Sequence, residues 1–167
     1  TSVFAPSVGS VSTSGQTISS VNVDGVVNPN GLNTSAYFEY GLTTSYGSVT
    51  GNLAAGTGTN PTTVSTAIVG LQPATTYHYR LAAFNNLGTT RGLDATFTTL
   101  PLPPDVNTQA ATPLSTTSAR LNGTADAKNG SATVTFEHST DGTNWTSVPA
   151  TPSTVTGNSP VPVTADL

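Results

Sequence analysis

The stretch VNVDGVVNPNGLNTSAYFEY at 21–40 returns as ARLNGTADAKNGSATVTFEH at 119–138. Gly25 falls on Gly123, an offset of 123 − 25 = 98, and Phe38 and Glu39 fall on Phe136 and Glu137. The same offset brings Pro6 onto Pro104, Val8 onto Val106, and the Thr-Ala pair at 66–67 onto that at 164–165. Such self-similarity means one folding unit used twice. The first copy spans 1–99, and the second spans 105–167. Between them LPLPP at 100–104 reads as a stiff, Pro-rich linker, because proline fixes φ and disfavours helix. By this alignment Leu167 matches Val69, so nothing in the second copy answers to 70–99. It is expected to lack its last two strands. Either the chain is cut from something longer, which is the simpler expectation, or another molecule supplies them. Losing two core strands removes many kcal/mol of apolar burial, against a net stability of about 5–15 kcal/mol. The second copy is therefore not expected to fold alone.

Alternation assigns strands and their facing. Val21, Val23, Gly25 and Val27 point inward, as do Ala119, Leu121, Gly123 and Ala125. Ala36, Phe38 and Tyr40 share an inner face with counterparts Val134, Phe136 and His138. Tyr37, Glu39, Thr135 and Glu137 face solvent. Ser65, Ala67, Val69 and Leu71 are expected inward by comparison with Val163, Ala165 and Leu167. In TYHYRLAAF, residues Tyr77, Tyr79, Leu81 and Ala83 are expected inward, and His78, Arg80, Ala82 and Phe84 outward. Ala95 and Phe97 are also expected inside. NPNG at 28–31, KNG at 128–130 and TDGT at 140–143 carry Asn-Gly or Asp-Gly, suited to tight turns. About seven strands in about 95 residues, and no helical period of useful length, predict an all-β sandwich of antiparallel sheets.

LQPATTYHYRLAAFNNLG at 71–88 resembles the fibronectin type III pattern, through Leu71, Pro73, Thr75, Tyr77, Tyr79, Arg80, Ala83, Asn85 and Gly88. VNPNG and FEYG resemble variants of that family found in secreted bacterial proteins. The resemblance covers 4–99 and, more weakly, 104–167. It implies tandem immunoglobulin-like, fibronectin type III-like β-sandwiches, the second incomplete. It implies that Tyr77 is a structural tyrosine corner, its hydroxyl bonding backbone near the strand entry. Where the family usually has a Trp on its second strand, Val21 and Val23 stand here. Trp145 belongs to the second copy.

Composition narrows the chemistry. Charged residues make up 7% of the 167, with a net charge of −4. The only basic residues, Arg80, Arg91, Arg120 and Lys128, are scattered, which argues against nucleic-acid binding. No apolar run approaches the ~20 residues of a membrane helix. Cysteine is absent, which is neutral on compartment. Methionine is absent too, so a chain starting at Thr1 is expected to be processed or excised. His78 reads as a solvated strand residue and His138 as a boundary residue at a sheet end. No metal set converges, because zinc needs three or four ligands. DGTNW at 141–145 lacks the acids of a calcium loop and reads as a turn. Glu39, Asp24 and Asp94 lie on convex faces or edges, not across a cleft as glycoside hydrolysis requires. Glu39 and Arg80 are expected to pair across neighbouring strands. Glycosylation sequons occur at Asn33, Asn122, Asn129 and Asn144.

No catalytic residue, cofactor or metal is expected. One surface feature stands out, a possible contact patch of Tyr37, His78, Arg80 and Phe84 on the outer face of the first copy. The resemblance implies a non-enzymatic structural module of an extracellular, secreted or cell-surface protein. Such modules serve as a spacer, stalk or surface-fibre building block, joined into a semi-rigid rod. Expected partners are neighbouring copies of itself, adjacent repeats of a longer chain, a glycan or a cell-surface protein. Two alternatives remain open. One is a self-assembling filament subunit completed by strands from a neighbour. The other is a carbohydrate- or protein-binding accessory module of a secreted enzyme, stacking sugar on Tyr37, Phe84 or Trp145.

Overall fold

Fourteen strands and no helix account for the regular structure in the computed structural model, which describes residues 2–167. They fall into two compact units, Thr1–Leu100 and Pro101–Leu167.

The first unit holds β1 (Ser7–Ser14), β2 (Ser20–Asn28), β3 (Thr34–Gly41), β4 (Ser48–Val49), β5 (Leu53–Gly56), β6 (Thr62–Val69), β7 (Thr76–Asn85), β8 (Gly88–Arg91) and β9 (Ala95–Thr98). One sheet runs β1-β2-β6 and the other β4-β3-β7-β8, with β5 on β3 and β9 on β7. All the pairings are antiparallel. Apolar residues at every second position close the space between the sheets. Val21, Val23 and Val27 come from β2 and Val64 and Ile68 from β6. They meet Ala36 and Phe38 of β3, Tyr79, Leu81 and Ala83 of β7, and Phe97 of β9. Phe38 and Leu81 are wholly buried. Aromatic rings fill the end of the layer: Tyr77 stacks on Phe97 at 5.5 Å, and Tyr79 meets Phe97 edge-on at 5.6 Å.

Outside the ladders, side chains take over the backbone's hydrogen bonds. The entry to β7 is held this way. The Tyr77 hydroxyl accepts the Gln72 N–H at 3.0 Å. Thr99 Oγ1 accepts the Thr75 N–H at 3.0 Å and donates to the Gln72 carbonyl at 2.6 Å. The turn at 28–31 has positive φ at Asn30 (55°) and Gly31 (86°). That is the backbone a tight hairpin turn needs, and Asn-Gly supplies it.

The facing of β6 differs from expectation. Val64 and Ile68 are buried, whereas Ser65, Ala67 and Val69 are exposed. The pairings give the reason. Gly25 pairs with Val64, and its counterpart Gly123 pairs with Val163. The offset here is 163 − 64 = 99, so the second copy carries one extra residue before its last strand. A slip of one residue sends every side chain to the other face. The Thr-Ala match at 66–67 and 164–165 is coincidental: Ala67 is exposed and Ala165 buried. Leu71 is buried as expected, because Gly70 turns the chain at φ 76° and resets the alternation.

The second unit holds β10 (Asp105–Pro113), β11 (Ala119–Asp126), β12 (Gly130–His138), β13 (Thr146–Gly157) and β14 (Val161–Asp166). These follow one another in a sheet ordered β10-β11-β14-β13-β12. The long β13 serves two neighbours: Thr146–Pro149 and Thr154–Gly157 pair with β12, while Thr151 pairs with Thr164 of β14. Ala125, Ala127, Val134, Ala150, Val155 and Val163 make a smaller core. Lys128 (φ 50°) and Asn129 (φ 67°) repeat the turn of Asn30 and Gly31. Trp145 is 60% exposed.

Candidate functional site

The outer face of the first unit's larger sheet gathers the chain's densest set of ionisable side chains. The cause is register. Glu39 of β3 lies opposite Arg80 of β7, and Gly41 opposite His78. Arg91 of β8 lies opposite Ala82, one strand further out. Glu39 is thereby clamped from two sides: Oε2 accepts from Arg80 Nε, and Oε1 from Arg91 Nε at 3.2 Å. Its side chain keeps only 14% exposure, so Glu39 does not project freely into solvent as alternation alone predicts.

The site extends beyond the strands. Tyr46, in the turn after β3, lies under the Arg80 guanidinium at 4.5 Å, a cation–π contact. Its hydroxyl donates to Asp94 Oδ1 at 3.0 Å. His78 Nδ1 lies 2.8 Å from the other oxygen, Asp94 Oδ2. Glu39, Tyr46 and Arg80 also border a shallow hollow of about 220 Å³. At the far end of the face the Tyr37 and Phe84 rings meet at 6.1 Å. Tyr37, His78, Arg80 and Phe84 thus share one face, each half-buried. Arg80 and His78 are engaged by carboxylates, and the aromatic pair is the part left open.

Three members were not anticipated from sequence: Arg91, Tyr46 and Asp94. Arg91 was legible. A two-residue hairpin turn at Asn86–Leu87 pairs Asn85 with Gly88, and counting back places Arg91 beside Ala82. Tyr46 sits at φ 59° in a turn, and Asp94 follows the break at Gly92, whose N–H bonds the Leu81 carbonyl. Neither obeys a strand period.

Burial opposes ionisation of Glu39, but the hydrogen bonds and charges of Arg80 and Arg91 outweigh it and hold its pKa below the ordinary glutamate value. Asp94 is likewise lowered, first by the hydrogen bond from His78. Burial and Asp94 push the Tyr46 phenol up. A carboxylate with a depressed folded-state pKa stabilises the fold above its unfolded pKa. That contribution is lost as pH falls through the folded value. Glu39→Gln should therefore destabilise the first unit by about 0.5–1 kcal/mol at pH 7, a size typical of partly exposed pairs. The difference from wild type should shrink as pH falls through the lowered folded-state pKa of Glu39 and vanish only well below it. Urea unfolding from pH 7 down through the acid range, followed by amide exchange in β3 and β7, checks this. A deficit that persists unchanged in acid would mean the ion pairs are not its source.

Elsewhere, Arg120 grips Asp166 in a two-pronged pair at 2.6 and 2.8 Å, and Lys128 bonds Asp126 at 2.7 Å. Asp141 caps its own turn by accepting the Thr143 and Asn144 N–H groups at 2.8 Å each, which pushes its pKa strongly down. His138 is half-buried near the end of β12. No group of three or more His, Cys, Asp or Glu side chains converges among the described residues, and no helix is long and apolar enough to cross a membrane.

No family model matches the chain, and no curated protein matches it. Solved structures similar to it include the sensor domain of the anti-sigma factor RsgI4 from Pseudobacteroides cellulosolvens. That similarity is 24% identity over 58% of this chain and 89% of that one, with a TM-score of 0.39. Another is the FN1–FN3 domains of chicken CNTN1, at 16% identity over 95% of this chain, with a TM-score of 0.40. The present chain covers 54% of that structure's length, about half.

Proposed function

We propose that this chain is a non-enzymatic structural module, of fibronectin type III-like kind, serving as a spacer or stalk in an extracellular or cell-surface protein. One observation carries the reading. The ionisable groups best placed for chemistry tie strands together: Glu39 joins β3 to β7 and β8, and Asp94 joins His78 of β7 to Tyr46. They stitch a sheet face, and the hollows they border are open depressions of about 220 and 450 Å³ in which no acid and base stand free of their partners. The aromatic seam of Tyr77, Tyr79 and Phe97, with the Gln72–Tyr77 bond, further stiffens that sheet. Purified chain should turn over no glycoside, ester or peptide substrate. A hydrolase activity abolished by Glu39→Gln or by His78→Ala would overturn the reading.

A second reading rests on the half-exposed Tyr37–Phe84 pair. An accessory binding module would stack a sugar ring there. Glycan-array binding lost on Tyr37→Ala, with unfolding unchanged, would favour it over the spacer.

A further inference from the structure

β8 and β9 run along β7 as one strand with a fault in it. Arg91 pairs with Ala82 and Ala95 with Tyr79, so Gly92, Leu93 and Asp94 stand opposite only Arg80 and Leu81. One residue is surplus, and a bulge of this kind re-aims the side chains it holds. It leaves Leu93 89% exposed, the most exposed large apolar side chain among the described residues. Leu93 borders the hollow of about 450 Å³ that lies between β1 and the fault. β1 carries its own bulge there: Val8 pairs with Val27 and Val11 with Gly25, which turns both valines to the inner face. Both pack on the core yet stay only half-buried. Half-covered valines and an exposed leucine thus flank one space with room for a leucine side chain. Apolar surface in water on both sides favours closing it.

We propose that Gly92–Asp94 is a strap with two positions: latched through Asp94 with Leu93 in solvent, and closed with Leu93 over Val8 and Val11. Register supplies the motion. Continued from Ala95, the β9 ladder places Asp94 opposite Arg80 and Leu93 opposite Leu81. Leu93 then faces inward like Leu81, and the surplus residue passes to Gly92. Three bonds keep the strap latched. The Gly92 N–H donates to the Leu81 carbonyl at 2.8 Å. Asp94 Oδ2 lies 2.8 Å from His78 Nδ1, and Asp94 Oδ1 accepts from the Tyr46 hydroxyl at 3.0 Å. The side chains of His78 and Asp94 are each about a third exposed, so their pairing is weak enough to yield. The titratable and charged groups facing Asp94 are His78 and Arg80 of β7 and Tyr46 of the turn after β3. Arg91 is bonded to Glu39, and β1 brings no titratable group to the hollow. The His78 hydrogen bond is the first cause holding Asp94 below the ordinary aspartate pKa. The latch therefore holds above that range and lets go as pH falls through the lowered value.

The strap goes beyond the spacer role and stands or falls without it, since neither turnover nor glycan binding is its readout. Methyl NMR on the full 167-residue chain, with Leu and Val labelled, reads its position. At neutral pH the wild-type Leu93 methyls should be strongly relaxed by a soluble paramagnetic probe and show no contact with Val8 or Val11. Asp94→Ala should cut that relaxation several-fold and bring Leu93 into contact with both valines. Acidifying the unsubstituted chain through the Asp94 titration should produce the same contacts. Adding Leu93→Ser to Asp94→Ala should expose Val8 and Val11 to the probe again. The proposal is overturned if Leu93 stays as exposed in Asp94→Ala as in wild type. It is equally overturned if Leu93 becomes shielded without touching Val8 or Val11, or already touches them in wild type at neutral pH.

Discussion

Phe38→Ala is expected to cost the first unit about 3–5 kcal/mol, the usual range for emptying a buried aromatic site. Phe38 has no exposed surface, and it packs between Tyr79, at 6.4 Å ring to ring, and the Gly25 notch. β2 on one side and β7 on the other are fixed by their ladders, so the void has little scope to collapse. The same change at Phe136 should cost the second unit less, because that ring is only partly buried and packs on a smaller core. Site-resolved amide exchange reads the two units separately. Since net stabilities are only about 5–15 kcal/mol, the alanine variant can unfold the first unit outright. Phe38→Leu, expected to cost about 1.5 kcal/mol or less, then carries the comparison. Equal losses at Phe38 and Phe136 would contradict the difference in packing between the copies.

Gly41→Ala should be nearly as damaging, for a different reason. A Cβ at Gly41 would stand 1.6 Å from the Tyr46 carbonyl oxygen and 2.4 Å from its carbon. These are main-chain atoms and cannot rotate away. The turn that carries Tyr46 must move, at a cost of about 2–3 kcal/mol by the usual scale of overpacking. Moving it also takes the ring from beneath Arg80 and its hydroxyl from Asp94. Tyr46→Phe, which removes only the hydroxyl bond, should cost about 1 kcal/mol or less. Urea midpoints of both variants, with exchange at 45–49, separate turn displacement from bond loss. A Gly41→Ala protein as stable as wild type would show that the turn does not seat against β3.

Much of this architecture is legible in the sequence, but unevenly, and for identifiable reasons. β2, β3 and β7 alternate large apolar residues with polar ones, so Val23, Phe38 and Leu81 declare their facing. β6 does not: Ser65, Thr66 and Ala67 are small and fit either side of a sheet, and the accidental Thr-Ala match with 164–165 points to a register one residue from the true one. The outer face shows the same division. The Glu39–Arg80 neighbourhood follows from strand pairing. The burial of Glu39 follows only when the Asn86–Leu87 hairpin is also counted out, because that is what brings its second arginine, Arg91, in from β8. Tyr46 and Asp94 reach the site through turn geometry, which periodicity does not encode.

The double pairing of β13 shapes how the second unit comes apart. Its two ends hold β12 while Thr151, between them, holds β14. Peeling either neighbour away strips hydrogen bonds from the strand that secures the other. β12, β13 and β14, tied together through one strand in this way, should melt in a single all-or-none step, with no β12–β13 hairpin surviving as a separate species.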